Sequence, residues 1–146
     1  MCHFSYLAIC MYNGNMNTCF RLKPGEDLKR FIEEYAIKNS VSGVVISGVG
    51  SLSQLKIRLA DGKTVLNKKE EFEIVSLNGT LSPDGVHIHI SAADTSGNVM
   101  GGHLKDGCII NTTCEICIVQ FDDIVFSRVF DNTTGYEELN ISRISA

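Results

Sequence analysis

The sequence predicts an α+β fold, a mainly antiparallel β-sheet with one main helix packed on it. Two observations carry this. A single stretch repeats apolar residues at helical intervals, Leu28, Phe31, Ile32, Tyr35 and Ala36. The rest is a series of short apolar or alternating runs separated by turn-forming clusters of hairpin length, the pattern of antiparallel strands.

The elements follow in order. Phe4 to Tyr12 is apolar, aromatic and β-branched and reads as a strand. Asn13-Gly14-Asn15 turns it into a second strand, Thr18 to Leu22. Lys23-Pro24-Gly25 breaks that strand, and Glu26 and Asp27 suit the first turn of the helix, where negative charge complements the dipole. Lys38 suits its last turn, and Asn39-Ser40 ends it. Val41 to Ser51 is apolar and broken by glycines; it lacks the Walker lysine and the G-x-G-x-x-G spacing of a phosphate cradle. Gln54 to Leu59 alternates as the next strand, and Ala60-Asp61-Gly62-Lys63 is a turn.

The densest strand patterning lies between Glu70 and Leu104, with the turn Ser82-Pro83-Asp84-Gly85 inside it. Cys108 to Asn111 and Thr113 to Phe121 then read as two strands. Asp122-Asp123 turns the chain into Ile124 to Asp131, expected as an outer strand of the same sheet. Thr133 to Ala146 is polar and suits a short edge strand. Residues 1–146 are expected to form one domain.

The formal net charge is −4, which gives no general attraction to nucleic acid or an anionic membrane. No run of apolar residues reaches the ~18 needed to span a bilayer as a helix. Met1 to Cys10 lacks the basic n-region of a signal peptide, so a cytoplasmic location is expected. There the six cysteines would be reduced. Cys114-Glu115-Ile116-Cys117 spells C-x-x-C, but residues i and i+3 of a strand face opposite sides and would not chelate one ion.

Three of the four histidines cluster in the central stretch. In Val86-His87-Ile88-His89-Ile90 the two imidazoles share one strand face, their Cα atoms ~6.5–7 Å apart. The turn Asp94-Thr95-Ser96-Gly97-Asn98 sends Val99 to Leu104 back alongside, returning His103 near the level of His87 or His89. Gly101 and Gly102 suit a place where backbones approach closely. His87, His89 and His103 are therefore candidate ligands of one metal ion, zinc foremost; the alternative is three ordinary hydrogen-bonded histidines.

Several blocks in order resemble one family, the PPC (PCC) domain, also known as DUF296. They are Arg21 to Leu28, Ile46 to Leu52, Phe72 to Leu81, the H-x-H strand and Gly101-Gly102-His103-Leu104, within Arg21 to Phe130. The resemblance implies an antiparallel sheet with one main helix, assembled as a homotrimer. It also implies a fold relationship to acetolactate decarboxylase, an enzyme with a His-ligated zinc. His87, His89 and His103 match the prokaryotic form of the domain, which resembles a zinc-binding site. In plants the domain follows AT-hooks that bind AT-rich DNA; this chain has no Arg-Gly-Arg core. An acid, Glu71, stands where the plant Gly-Arg-Phe-Glu-Ile-Leu block has its arginine.

Three protein ligands leave a fourth position for water or a substrate oxygen, which suits a catalytic zinc and a small anionic or carbonyl ligand. Glu115, Glu73 and Arg21 are the candidate supporting groups, with a structural salt bridge as the alternative for Glu115 and Arg21. Two rival readings stay open. One is a DNA- or protein-binding module using a basic patch at Lys63, Lys68 and Lys69, which suit plain strand-edge protection equally well. The other is a metal that only braces the fold or trimer.

Overall fold

The computed structural model describes the backbone of residues 7–12 and 15–144, and side chains from residue 17 onward. The elements are β1 (Leu7–Tyr12), β2 (Asn15–Leu22), α1 (Leu28–Lys38), β3 (Gly43–Arg58), β4 (Val65–Lys68), β5 (Phe72–Ser82), β6 (Gly85–Asp94), β7 (Val99–Leu104), β8 (Ile109–Gln120), β9 (Ile124–Asp131) and β10 (Tyr136–Arg143). Every strand pairing among the described residues is antiparallel, and α1 is their one helix.

The helix forms where the apolar stripe placed it, burying Leu28, Ile32, Tyr35 and Ala36. Asp27 is its N-cap rather than a first-turn residue, and Glu26 precedes it. Asp27 Oδ1 accepts from the Arg30 amide at 3.2 Å and Oδ2 from the Gly107 amide at 2.7 Å. One carboxylate thus satisfies an orphan helix donor and ties the helix start to the loop before β8. The buried stripe meets the sheet through β5 and β6, within a core that includes Leu52, Leu55, Ile57, Leu81, Ile88, Ile90 and Ile116.

β1 and β2 form the expected N-terminal hairpin, with Tyr12 opposite Asn15; Phe4 to Tyr6 and residues 13–14 lie outside the described residues. Three expectations are corrected. The two stretches expected as Val41 to Ser51 and Gln54 to Leu59 merge, apart from their outer ends, into one 16-residue strand, β3. Glycines do not end it, because register shifts between Val45 and Ser47, Gly50 and Leu52, and Leu52 and Gln54 absorb the irregularity while pairing continues. The stretches expected as Cys108 to Asn111 and Thr113 to Phe121 likewise merge, without Cys108 and Phe121, into β8, since Thr112 interrupts nothing. β9 does not join the main sheet. It pairs only with β10 in a separate two-stranded sheet, held to the body by buried Phe126, whose amide donates to Ser42 Oγ at 2.9 Å.

The main sheet runs β1-β2-β8-β3-β5-β6-β7, with β4 beside β3. β7 returns to pair with β3, placing Ile57 opposite Leu104 and Arg58 opposite His103. The strands β3, β5, β6 and β7 therefore close into a ring, which a long, bulged strand makes feasible. At the closure β7 lies between two backbones. A Cβ at Gly101 would sit 2.7 Å from the Ile90 carbonyl oxygen, and one at Gly102 2.5 Å from that of Arg58. Only residues without a side chain fit there.

Candidate metal centre

Strand alternation puts Ile88 and Ile90 in the core and turns His87 and His89 outward from β6. Turn residues Asp94 to Asn98 close the hairpin: Asp94 Oδ1 accepts from the amides of Ser96 and Asn98, both at 2.9 Å. The register this fixes sets His103 directly across from His89. The three imidazoles meet, with ring centroids 5.0, 5.1 and 5.7 Å apart. One ligand nitrogen from each falls within 4.8 Å of the others.

The donor set fits a metal ion on two counts. The Nε2 atoms of His87 and His89 lie 3.2 Å apart. Two nitrogens bound tetrahedrally to zinc at ~2.0–2.1 Å are themselves ~3.3 Å apart, so this pair is already at ligand spacing. Among the described residues the buried His103 Nδ1 has no hydrogen-bond partner, a cost that a bound ligand would offset. The electrostatics agree. Burial, then the charges of His87 and Arg58, hold His103 down at about 4. Burial, then His89 and Arg128, lower His87. Neutral imidazole is the form that ligates.

His87 and His103 line a cavity of about 320 Å³ with Arg58, Arg128, Tyr136 and Glu138, while His89 lines a neighbouring one with Asn78, Thr80 and His87. Arg128 Nη2 donates to Thr80 Oγ1 at 2.8 Å, and Thr80 pairs with His87 across β5 and β6. The Arg58 guanidinium lies 5.8 Å from the Tyr136 ring centroid and donates to the Gly62 carbonyl at 3.3 Å.

The three supporting groups expected from sequence lie elsewhere. Glu115 is exposed on β8, three strands from β6, opposite Arg21 and Val49. Arg21 bonds Thr113 Oγ1 at 3.1 Å and makes no ion pair with Glu115. Glu73 lines a different cavity with Ser51, Asp94 and Thr112. The C-x-x-C thiols diverge as strand geometry requires: Cys114 is buried, and Cys117 Sγ instead approaches Cys19 Sγ to 3.0 Å across β2 and β8. Of the lysines of the basic patch, Lys68 pairs with Glu70 at 3.0 Å while Lys63 and Lys69 are exposed.

The groups that do surround the histidines went unnoticed in the sequence. Arg58 was one polar residue of an alternating strand, and nothing local says that β3 returns beside β7. Arg128 and Glu138 arrive on a hairpin far down the chain, whose docking depends on Phe126 and Thr80.

Comparison with known proteins places this geometry. The Plants and Prokaryotes Conserved (PCC) domain model matches residues 12–122. A bifunctional protein GlmU from Synechococcus sp. (strain JA-3-3Ab) is 46% identical over 126 residues, 86% of this chain. The chain spans only 20% of that protein's length. A structure of a hypothetical protein from Salmonella cholerae-suis (Salmonella enterica) is 30% identical, with a TM-score of 0.84 over 97% of this chain and 99% of that one. A metal-containing protein from Archaeoglobus fulgidus is 25% identical, with a TM-score of 0.69 over 92% and 97% of the two chains. A candidate DNA-binding protein from Bacteroides thetaiotaomicron, 18% identical with a TM-score of 0.76 over 93% and 98%, shares the fold. The family model covers most of the chain and the expected blocks fall within it in order; this chain belongs to the Plants and Prokaryotes Conserved (PCC) domain family.

Proposed function

We propose that this chain is a homotrimeric PCC-domain protein holding one zinc ion through His87, His89 and His103 and using it on a small carbonyl or carboxylate ligand. The observation that carries this is the convergence of three imidazole nitrogens within 4.8 Å, two of them from histidines that line the cavity. The description of the Archaeoglobus relative as metal-containing supports it. Bound there, zinc would supply a Lewis acid and an open position for water or a substrate oxygen. The chain's own residues would do the rest. Arg58 and Arg128 bring positive charge to the cavity. Glu138, half-buried on its wall, is the carboxylate placed to accept a proton. The cavity's volume suits low-mass ligands, since ~300 Å³ is the lower end for ligand pockets.

Elemental analysis of protein purified without a His-tag tests the reading, with His89→Ala as the control. About one zinc per chain in the wild type, lost in the variant, is expected. Folded wild-type protein that stays metal-free after zinc is added would sink it. A DNA- or partner-binding module would then lead, and a salt-sensitive shift of a DNA duplex would be its first support.

A further inference from the structure

We propose that Arg58 and Arg128 form a cradle for the carboxylate of a small organic acid whose second oxygen meets the metal, so that metal and acid bind cooperatively. This rests on the zinc reading above and assigns its ligand class. Register builds the cradle. Arg58 lies directly opposite His103 where β3 and β7 pair. Arg128 is bonded at 2.8 Å to Thr80, the strand partner of His87. Register thus places each arginine next to one ligand histidine, and both line the same 320 Å³ cavity.

Neither guanidinium takes part in an ion pair among the described residues. The acids of the cavity are partly committed elsewhere. Glu33 pairs with Lys29 at 2.8 Å, and Asp84 Oδ2 accepts from the Arg128 backbone amide at 3.1 Å. Glu137 and Glu138 remain on the β10 side. Among the described residues each guanidinium makes a single hydrogen bond, to a backbone carbonyl or a hydroxyl, which leaves most of its five donors for a ligand.

Charge then dictates coupling. Three neutral imidazoles add nothing to offset a divalent cation, and two nearby guanidiniums repel it. Glu33, Asp84, Glu137 and Glu138 of the same cavity attract the cation, but an acid gripped by those guanidiniums neutralises the repulsion at the histidines themselves, and a planar fork is built for a carboxylate. Each ligand should therefore tighten the other's binding by the same factor.

Calorimetric zinc titration of metal-free protein tests this with glycolate as the probe and glycolamide as its uncharged control, corrected for zinc–glycolate in solution. Glycolate should raise zinc affinity about fivefold or more, and glycolamide should not. Arg128→Gln should bind zinc alone about fourfold more tightly, because repulsion is relieved, yet lose the glycolate effect. Arg58→Lys keeps the charge but not the fork, so zinc affinity holds while glycolate coupling falls. Opposite signs for the two ligands are something a merely structural arginine would not produce.

Zinc binding without glycolate coupling, or coupling that survives both variants, overturns the cradle and leaves the metal centre standing. A parallel arm needs no metal: the Nε–H resonances of Arg58 and Arg128 should shift with glycolate and not with glycolamide. Should zinc fail to bind while these resonances move, the metal reading falls and the carboxylate cradle stands. Should neither occur, both fall.

Discussion

The histidine cluster sets its own pH limit. His103 is held at about 4 in the folded chain by burial and then by His87 and Arg58, against 6.5 when unfolded. A depressed histidine pKa means the unfolded chain takes up the proton first. Its contribution to stability is therefore whole above about pH 6.5 and is lost as pH falls from 6.5 toward 4. The melting temperature of metal-free protein should fall across that window, and His103→Gln should flatten the fall; an unchanged profile would refute the assignment. Zinc affinity should drop over the same range. The thiols allow a second prediction. Cys19 and Cys117 face each other with sulfurs 3.0 Å apart, and directly opposed strand residues lie within disulfide reach. Peptide mapping after treatment with oxidised glutathione should find a Cys19–Cys117 disulfide, while buried Cys108 and Cys114 stay reduced. A map with both exposed-side thiols free would refute it.

Among the elements, α1 depends on one carboxylate at its start. Asp27 caps the Arg30 amide and also accepts from Gly107, so Asp27→Ala removes a helix cap and a tether at once. Chemical denaturation should show a loss of about 1–2 kcal/mol, at the upper end for a single cap. A loss within a few tenths would mean that water replaces both bonds. β3 shows how an element's length can matter more than its composition. Because it continues through three register shifts, its far end reaches β7 and sets Arg58 against His103.

For the molecule as a whole, the sheet face away from α1 exposes Val49 at 54%, and the bulge residues Ile46 and Val75 are exposed at 61% and 59%. Val49 stands opposite exposed Glu115, whose neighbours Cys114 and Ile116 point into the core. Burying such a surface between copies is the simplest way to remove it from water. The proposed homotrimer would do so: sedimentation should give three chains of 16.0 kDa, about 48 kDa, and Val49→Arg should lower that mass. A wild-type chain that sediments as 16.0 kDa would refute the trimer.

What the sequence determined by itself is local. Alternation decided that His87 and His89 share a face, the turn after Asp94 decided that β7 runs back beside them, and the apolar stripe decided α1. Each follows from interactions within a few residues, or across one short hairpin, where spacing is geometry. What only the tertiary structure decided is which distant segments face the histidines. Arg58 and Arg128 are brought to them by ring closure and by a docked hairpin. Glu115, Glu73 and Arg21 had the right chemistry for the site but sit on strands or faces that register carries elsewhere. Long-range pairing is fixed by the sum of many weak packing contacts, and no short stretch of the chain records that sum.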